Sequence, residues 1–243
     1  MLEERTQHGT HPQSGDSVSL VTESRNQRSF DLDMLGTKDI LTLINEEDQN
    51  VALAVAREIP QITKAVDLIT RCLMNNGRLF YVGAGTSGRL GVLDLAECKP
   101  TFGVGSDKVC AIIAGGPAAI TEAVEEAEDD FELGSSELVQ RSISERDAVL
   151  GITASGRTPF VLGALSTARE AGALTVGLSC NRSSKIREYV DIAIEVVTGP
   201  EVLTGSTRMK AGTAQKMVLN MISTATMIKL GKVYENLMVD MLA

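Results

Sequence analysis

The sequence contains no tryptophan, and aromatic residues make up only 3% of its 243 residues. Because 43% of the residues are hydrophobic, the chain can still build a core, but that core must be aliphatic. So few aromatic rings leave few platforms for base stacking, which argues against single-stranded nucleic-acid binding. The net charge is −9, and no cluster of Lys and Arg is long enough to follow a phosphate backbone. We therefore expect no nucleic-acid partner.

Histidine is missing from the body of the chain. Both histidines, His8 and His11, lie in the polar tail Met1–Ser17, and we predict that residues 1–18 are disordered. Any acid–base chemistry must then come from carboxylates, Lys, Tyr or Cys. The four cysteines show no C-x-x-C pair and no zinc-site spacing, so we expect reduced, mostly buried thiols. The sequence predicts no metal site and no cofactor.

Long hydrophobic runs are also missing. No apolar stretch approaches the roughly 18 residues of a membrane span, and the polar N-terminus lacks the apolar region of a secretory signal. We expect a cytoplasmic protein without a membrane partner.

Short apolar segments alternate with helical patterns along most of the chain. The apolar runs predict five strands, at Arg78–Gly83, Val109–Ala114, Ala148–Thr153, Leu174–Leu178 and Ile192–Val196. Helices are predicted at Ser87–Cys98, Ala118–Asp129, Ser136–Ile143, Pro159–Ala171 and Met209–Leu230. This alternation is typical of an α/β fold with a doubly wound parallel sheet flanked by helices. We expect that domain over residues 77–243.

An N-terminal helical segment is predicted before the first strand, over residues 19–76. Thr37 and Asn50 are plausible helix caps, and Pro60 suits the first turn of a new helix.

Three loops rich in glycine and hydroxyl groups carry the strongest functional signal. Gly83–Arg89 and Thr153–Pro159 each follow a predicted strand, and Thr204–Lys210 leads into the last helix. Glycine lets a backbone approach an anion, and helix N-termini and hydroxyl groups donate hydrogen bonds to it. Any one loop could be an ordinary Ser/Thr cap. Three of them favour a phosphate site at the carboxyl end of the sheet.

The first loop also matches the G-x-G-x-x-G pattern of nicotinamide dehydrogenases. Such a site needs an acidic residue at the end of the second strand to bind the ribose. Here that strand ends in Ile113–Gly116, without an acid. The dehydrogenase hypothesis is therefore disfavoured.

Two glutamates are candidate acid–base groups, although periodicity alone does not select them from the 32 acidic residues. Glu97 follows the first loop on its helix, close to Pro100, which is predicted to end that helix. Glu128 lies in the acidic block Glu125–Asp130. If Glu97 lies at a partly dry site, its carboxyl pKa would rise toward the value that a general acid needs. The alternative is an exposed surface group, which the acidic block favours still more for Glu128.

Longer motifs then identify a family. The chain resembles N-acetylmuramic acid 6-phosphate etherases, which belong to the sugar isomerase (SIS) superfamily, over about residues 20–241. The matching stretches are Glu23–Asn26, Asp31–Asp33, Gly83–Asp94, Glu97–Cys98, Pro100–Gly103, Ile113–Pro117, Ala123–Asp129, Ala154–Pro159, Ser179–Asn181, Leu203–Arg208 and Gly212–Ser223. The resemblance implies a three-layer SIS-type α/β/α fold. The family chain usually continues past Met241, so a C-terminal helical region is expected to be lacking here.

The resemblance also implies a reaction. Family members cleave the D-lactyl ether of the sugar phosphate, giving N-acetylglucosamine 6-phosphate and D-lactate, by elimination and then addition of water. By motif, Glu97 matches the proton donor and Glu128 the second catalytic group, the presumed base. The substrate would be bound by Thr86, Ser87, Arg89, Ser155, Arg157, Thr158, Ser206, Thr207 and Lys210. The resemblance further implies a homodimer whose sites lie near the subunit interface.

Two other functions of this fold stay open. A non-catalytic sugar-phosphate sensor similar to the glucokinase regulatory protein would bind the same ligands but would not need both Glu97 and Glu128. An aldose–ketose isomerase would interconvert sugar phosphates without releasing lactate.

Overall fold

The computed structural model describes residues 20–124 and 126–240, so the tail predicted to be disordered lies outside the described residues. Two helices, α1 (Thr37–Arg57) and α2 (Ile59–Met74), precede the sheet. Four more are interleaved with or follow its strands: α3 (Gly85–Phe102), α4 (Phe131–Gln140), α5 (Pro159–Glu170) and α6 (Lys210–Lys229). The prediction of an N-terminal helical segment is confirmed.

Five parallel strands form one sheet. They are β1 (Leu79–Gly83), β2 (Val109–Ile113), β3 (Ala148–Ile152), β4 (Leu174–Ser179) and β5 (Ile192–Glu195), in the order β2-β1-β3-β4-β5. The chain therefore moves outward from β1 to β2 and then returns to the other side of β1 at β3. The loops after β1 and β3 diverge at this switch point and leave a crevice at the carboxyl end of the sheet. The predicted α/β class and doubly wound sheet are confirmed. A short hairpin, β6 (Val233–Tyr234) and β7 (Leu237–Met238), follows α6.

Each face of the sheet carries its own apolar core, because side chains alternate along a strand. On β1, Leu79 and Tyr81 face the cluster under α1, α2 and α6, whereas Phe80 and Val82 face α4 and α5. Both faces are thus covered, which is why all five residues of β1 are buried and the predicted strands read as continuous apolar runs.

The prediction of a helix at Ala118–Asp129 is wrong. The segment forms two 3₁₀ helices, Gly116–Ile120 and Glu126–Asp129. Gly115 and Gly116 adopt left-handed backbone conformations that no α-helix continues, and clustered acids repel each other at helical spacing. Asp130 instead caps α4, accepting a hydrogen bond from the backbone N–H of Leu133 at 2.8 Å. α4 consequently begins five residues earlier than predicted.

Two smaller helix predictions also need correction. Asn50 does not cap a helix, because α1 runs through it without a break. α3 continues past Pro100 to Phe102, where Gly103 ends it in a left-handed conformation. Pro100 is tolerated because it lies in the last turn, where only one intrahelical hydrogen bond is lost.

A buried ion pair at the start of the sheet gives the protein a testable dependence on pH. The carboxylate of Asp147, which is 2% exposed, accepts hydrogen bonds from the guanidinium of Arg78 at 2.8 and 3.1 Å. It also accepts from the backbone N–H and hydroxyl of Ser144 at 2.9 and 3.0 Å. Burial raises the pKa of Asp147, but the bonds from Arg78 and Ser144 outweigh this effect and hold the pKa below 3.8.

A carboxyl pKa that folding lowers stabilises the folded state above the unfolded pKa, and the benefit disappears as the pH falls through the folded value. We therefore expect Asp147→Asn to lower Tm by several degrees at neutral pH. The difference from wild type should shrink as the pH falls below about 4. Thermal melts between pH 7 and pH 3 measure it, with Asp48→Asn on the exposed face of α1 as the control. A Tm difference that does not change with pH would contradict the assignment.

Candidate functional site

A cavity of about 310 Å³ lies at the carboxyl ends of β1 and β3, where the switch point predicts a ligand site. Residues from all three hydroxyl-bearing loops and two carboxylates surround it. The lining residues are Glu23, Ala84, Gly85, Thr86, Ser87, Glu128, Ile152, Thr153, Ala154, Ser155, Thr158 and Thr207. Of the residues predicted to bind substrate, the structure brings five into this lining: Thr86, Ser87, Ser155, Thr158 and Thr207.

The first loop owes its shape to glycine. A Cβ atom on Gly88 would lie 2.7 Å from the carbonyl oxygen of Gly83, so α3 can start this close to β1 only with glycine there. Gly85 has a φ of 52°, in the left-handed region that glycine favours. The first turn of α3 therefore directs its unpaired backbone N–H groups into the cavity, next to the hydroxyl groups of Thr86 and Ser87.

Ser87 is held from behind by a residue that the sequence did not reveal as part of the site. Its hydroxyl donates to Oε1 of Gln215, on α6, at 2.9 Å. Gln215 is 1% exposed, and its Nε2 atom has no hydrogen-bond partner within the described structure. Ser87 and Gln215 lie 128 positions apart, so no local sequence pattern links them. The only signal was the run Gly212–Ser223 among the family motifs.

The second loop is organised around the hydroxyl of Thr153. Its Oγ1 lies 2.8 Å from Oγ1 of Thr158 and 3.3 Å from Oγ of Ser155, and it accepts a bond from the backbone N–H of Gly156. Gly156 has a φ of 72°, and a Cβ atom there would meet the Ser184 hydroxyl at 2.2 Å. The hydroxyl groups of Ser155 and Thr158 are thus positioned before any ligand arrives.

The third loop contributes Thr207, and the start of α6 behind it is fixed by buried charge. The carboxylate of Glu201, which is 0% exposed, accepts from the backbone N–H groups of Lys210 and Ala211 at 3.0 and 2.9 Å. The Lys210 side chain points away from the cavity and forms an ion pair with Glu47 of α1 at 2.5 Å. These contacts anchor the loop rather than offer donors to a ligand.

Four residues predicted to bind substrate do not line the cavity as the structure describes it: Arg89, Arg157, Ser206 and Lys210. Arg89 donates to the carbonyl oxygens of Ile120 and Glu122 at 3.1 and 2.7 Å, and so fixes the loop that leads to Glu128. Arg157 is exposed on the second loop. Ser206 precedes Thr207 and bonds through its backbone N–H to Leu203.

The two predicted catalytic glutamates occupy different places in one chain. Glu128 lines the cavity. Its neighbour Ala127 packs against the apolar cluster beneath α5, which fixes the 3₁₀ helix Glu126–Asp129 that contains both residues. Glu97 lies in a second cavity of about 240 Å³ between α3 and α6. It is eleven residues beyond Thr86 on one helix, a separation of about 16 Å at 1.5 Å per residue.

The second cavity also contains Asp94, which joins three elements. Its carboxylate accepts from the Tyr81 hydroxyl of β1 at 2.9 Å and from the Ser223 hydroxyl of α6 at 3.0 Å. Burial raises the pKa of Asp94, although both hydroxyl bonds act in the opposite direction. Burial, together with the nearby carboxylates of Asp94 and Glu97, raises the pKa of the Cys98 thiol to about 12. Cys98 is therefore a neutral packing residue and not a nucleophile.

A third carboxylate, Glu23, lines the first cavity although sequence reasoning did not select it as a site residue. It belongs to the N-terminal segment, far from the sheet in sequence. The motif Glu23–Asn26 was the one signal that pointed to it.

Within the described ranges, no group of three or more His, Cys, Asp or Glu side chains could hold a metal ion. In the same part of the chain, no helix combines the length and apolar character that crossing a bilayer requires.

Comparison with known proteins places this geometry in a family. Two domain models match the chain: the glucokinase regulatory protein N-terminal SIS domain over residues 61–169 and the SIS domain over residues 119–225. Among solved structures, a phosphoheptose isomerase from Francisella tularensis aligns with a TM-score of 0.62 at 17% identity, covering 79% of this chain and 98% of that one. At that identity the likeness shows a shared fold.

Curated relatives are much more similar in sequence. N-acetylmuramic acid 6-phosphate etherase from Caldanaerobacter subterraneus subsp. tengcongensis is 59% identical over 224 residues, which is 92% of this chain and 73% of the relative. The Oenococcus oeni protein of the same name is 56% identical over 225 residues, covering 93% of this chain and 76% of the relative. With its loops, its cavity and Glu128 placed as described, the chain belongs to the N-acetylmuramic acid 6-phosphate etherase family.

Proposed function

We propose that this protein is a carbon–oxygen lyase that cleaves the D-lactyl ether of N-acetylmuramic acid 6-phosphate, in the recycling of cell-wall sugars. The observation that carries the proposal is the position of Glu128 in the same cavity as three hydroxyl-bearing loops. A phosphate on those loops would present the sugar to a carboxylate. The names of the curated relatives favour the same reaction.

The phosphate binds at the switch point. Its oxygens accept hydrogen bonds from the backbone N–H groups in the first turn of α3, that of Ser87 included, because the Ser87 hydroxyl already donates to Gln215. The hydroxyl groups of Ser155, Thr158 and Thr207 supply the other donors. The chain has a net charge of −9, so this local concentration of donors must overcome repulsion from the protein as a whole.

The chemistry needs two carboxyl groups and an open-chain aldehyde. The aldehyde acidifies the C2 proton, which Glu128 removes. Glu97 protonates the ether oxygen as the C3–O bond breaks, which releases D-lactate and leaves a C2–C3 double bond. Water then adds hydroxide at C3 and a proton at C2, giving N-acetylglucosamine 6-phosphate. Both steps are general acid–base catalysis.

About 16 Å of helix separates Glu97 from Thr86 on the phosphate loop, which argues against one chain supplying both groups to one sugar. We therefore propose a homodimer in which each active site combines Glu128 of one subunit with Glu97 of the other. A two-fold symmetric dimer would contain two such sites.

We place the protein in the cytoplasm. The cysteines of the described chain are free thiols, as is usual in a reducing compartment.

The match to the glucokinase regulatory protein domain keeps a sensor as the second candidate. That match spans the first two loops together with Glu97 and Glu128, so it does not by itself separate a sensor from an enzyme. A sensor would not need an acid–base pair, so the presence of Glu97 and Glu128 and the names of the relatives favour the enzyme.

The reaction can be followed directly. Incubation with N-acetylmuramic acid 6-phosphate should release one D-lactate per sugar, measured with D-lactate dehydrogenase. In H₂¹⁸O the product should carry ¹⁸O at C3, and in D₂O it should carry deuterium at C2, as elimination followed by addition requires. A thermal shift with sugar phosphates but no lactate would favour the sensor. Conversion of an aldose phosphate to a ketose phosphate would favour the isomerase.

A further inference from the structure

We propose that Glu23 is a substrate-binding residue whose carboxylate accepts hydrogen bonds from hydroxyl groups of the sugar. This inference rests on the proposed function, since it concerns the same cavity. It adds a contact from the N-terminal segment to a site otherwise built from the α/β domain.

Glu23 lies at the edge of the cavity, next to the third loop. The residue lines the cavity together with Thr86, Ser155 and Glu128. Its Oε2 atom lies 3.9 Å from the position that a Cβ atom on Gly205 would occupy, so the carboxylate reaches the third loop. It therefore spans the opening between the N-terminal segment and the loop that carries Thr207.

The backbone around Glu23 is fixed by hydrogen bonds to the loops of the site. The preceding residue, Thr22, is 1% exposed and its hydroxyl accepts a hydrogen bond from Asn181 Nδ2 at 2.9 Å. The same Asn181 amide donates to the carbonyl oxygen of Ala154, which itself lines the cavity. Further along, the Ser29 hydroxyl donates to the carbonyl oxygen of Val202 at 2.7 Å. These bonds tie the N-terminal segment to the loops of the site.

The negative charge of Glu23 restricts the part of the ligand that it can bind. A carboxylate repels phosphate, so Glu23 cannot serve the anion-binding part of the cavity, and it lowers rather than raises phosphate affinity. It can only accept hydrogen bonds. The donors that a sugar phosphate offers are its hydroxyl groups and its amide N–H. Glu23 is therefore suited to the sugar and not to the phosphate, which gives the inference an unusual signature.

The test compares two ligands on three proteins. Wild type, Glu23→Ala and Glu23→Gln are titrated calorimetrically with N-acetylglucosamine 6-phosphate and with inorganic phosphate. Glu23→Ala should bind the sugar phosphate about 10- to 100-fold more weakly, because a hydrogen bond to a charged group is lost. The Gln variant, which keeps an acceptor oxygen, should lose less. Inorganic phosphate should bind both variants as well as wild type or more tightly.

Asp33→Asn provides the matched control, because Asp33 is an exposed carboxylate of the same segment that does not line the cavity. It should leave both affinities unchanged. In the lactate assay, Glu23→Gln should raise KM and leave kcat within about twofold, the pattern of lost binding that is equal in ground and transition states.

Equal loss of affinity for both ligands would overturn the inference, because it would indicate a structural defect. Unchanged affinity for the sugar phosphate would also overturn it, and so would a fall in kcat with constant KM. Absence of lactate release by wild type would reject the proposed reaction, while the two-ligand comparison would still decide whether Glu23 contacts the sugar.

Discussion

Glu97→Gln and Glu128→Gln should each reduce D-lactate release at least about 10³-fold, and an equimolar mixture of the two should recover about a quarter of wild-type activity. Each variant alone lacks one group of every acid–base pair. In a mixed dimer, the subunit with Glu128 intact meets the Glu97 of its partner, so one of its two sites is complete. Random exchange makes half of the dimers mixed, and half of the sites in those dimers active.

The recovered activity distinguishes a site shared between two subunits from a site within a single chain. If Glu97 and Glu128 served one sugar within a single chain, no mixed dimer would contain a complete site and the mixture would stay inactive. The subunits should be mixed after mild dissociation, and the control is each variant treated alone in the same way. A double variant, Glu97→Gln with Glu128→Gln, mixed in equal amount with wild type should halve the activity of the wild-type subunits, because a mixed dimer then contains no complete site.

Both single variants should keep the phosphate site. Glu97 lies outside the cavity that contains the loops, and Glu128 faces the cavity without supplying a donor to an anion. Binding of inorganic phosphate should therefore change little in Glu97→Gln. A large loss of phosphate affinity in that variant would show that Glu97 supports the fold of the loop instead of the chemistry.

Much of this architecture could be predicted because its determinants are local. The five strands are continuous apolar runs, and each was located within one residue at either end. Two of the loops were visible because glycine and hydroxyl residues directly follow strands, and parallel strands bring such loops to one edge. Five of the nine predicted substrate-binding residues line the resulting cavity.

Two site residues that the sequence did not reveal depend on contacts distant in sequence. Glu23 comes to the cavity only because Thr22 pairs with Asn181, 159 residues away. Gln215 reaches Ser87 across 128 residues. The composition of the acidic segment before Asp130 predicts a helix, whereas two glycines in left-handed conformations and the capping role of Asp130 prevent one. No spacing in the sequence reports such pairings.

Lys210 is the most instructive of these cases, since its place beside a hydroxyl-rich loop predicted a phosphate contact. In the structure its side chain is 2% exposed and its Nζ atom is paired with Oε2 of Glu47. Asn26 donates to the same oxygen at 3.0 Å, and Arg28 donates to Oε1 at 2.9 Å. Burial raises the pKa of Glu47, but the hydrogen bond and charge of Lys210, with the bonds from Asn26 and Arg28, lower it below 4.5 overall.

Lys210→Met should therefore reduce the free energy of unfolding by up to about 3–5 kcal/mol, the usual cost of removing one partner of a buried ion pair, since only the half-exposed Arg28 then balances the charge of Glu47. For a chain of this length that corresponds to a fall in Tm of roughly 6–20 °C at neutral pH. Adding Glu47→Gln should restore much of the loss, because the amide oxygen still accepts from Asn26 while the charge that Lys210 neutralised is gone. Thermal and urea unfolding of the two single variants and the double variant form the cycle that isolates the pair.

The pH dependence of this loss follows from the same pair. Since the pKa of Glu47 is lowered on folding, its contribution is present above pH 4.5 and disappears as the pH falls through the folded value. The Tm difference between wild type and Lys210→Met should therefore narrow on acidification. The Lys210→Met protein that is folded should bind inorganic phosphate like wild type, because the ion pair anchors α6 behind the cavity and does not contact the ligand. If Lys210→Met instead kept its stability and lost affinity for phosphate, Lys210 would be a substrate-binding residue.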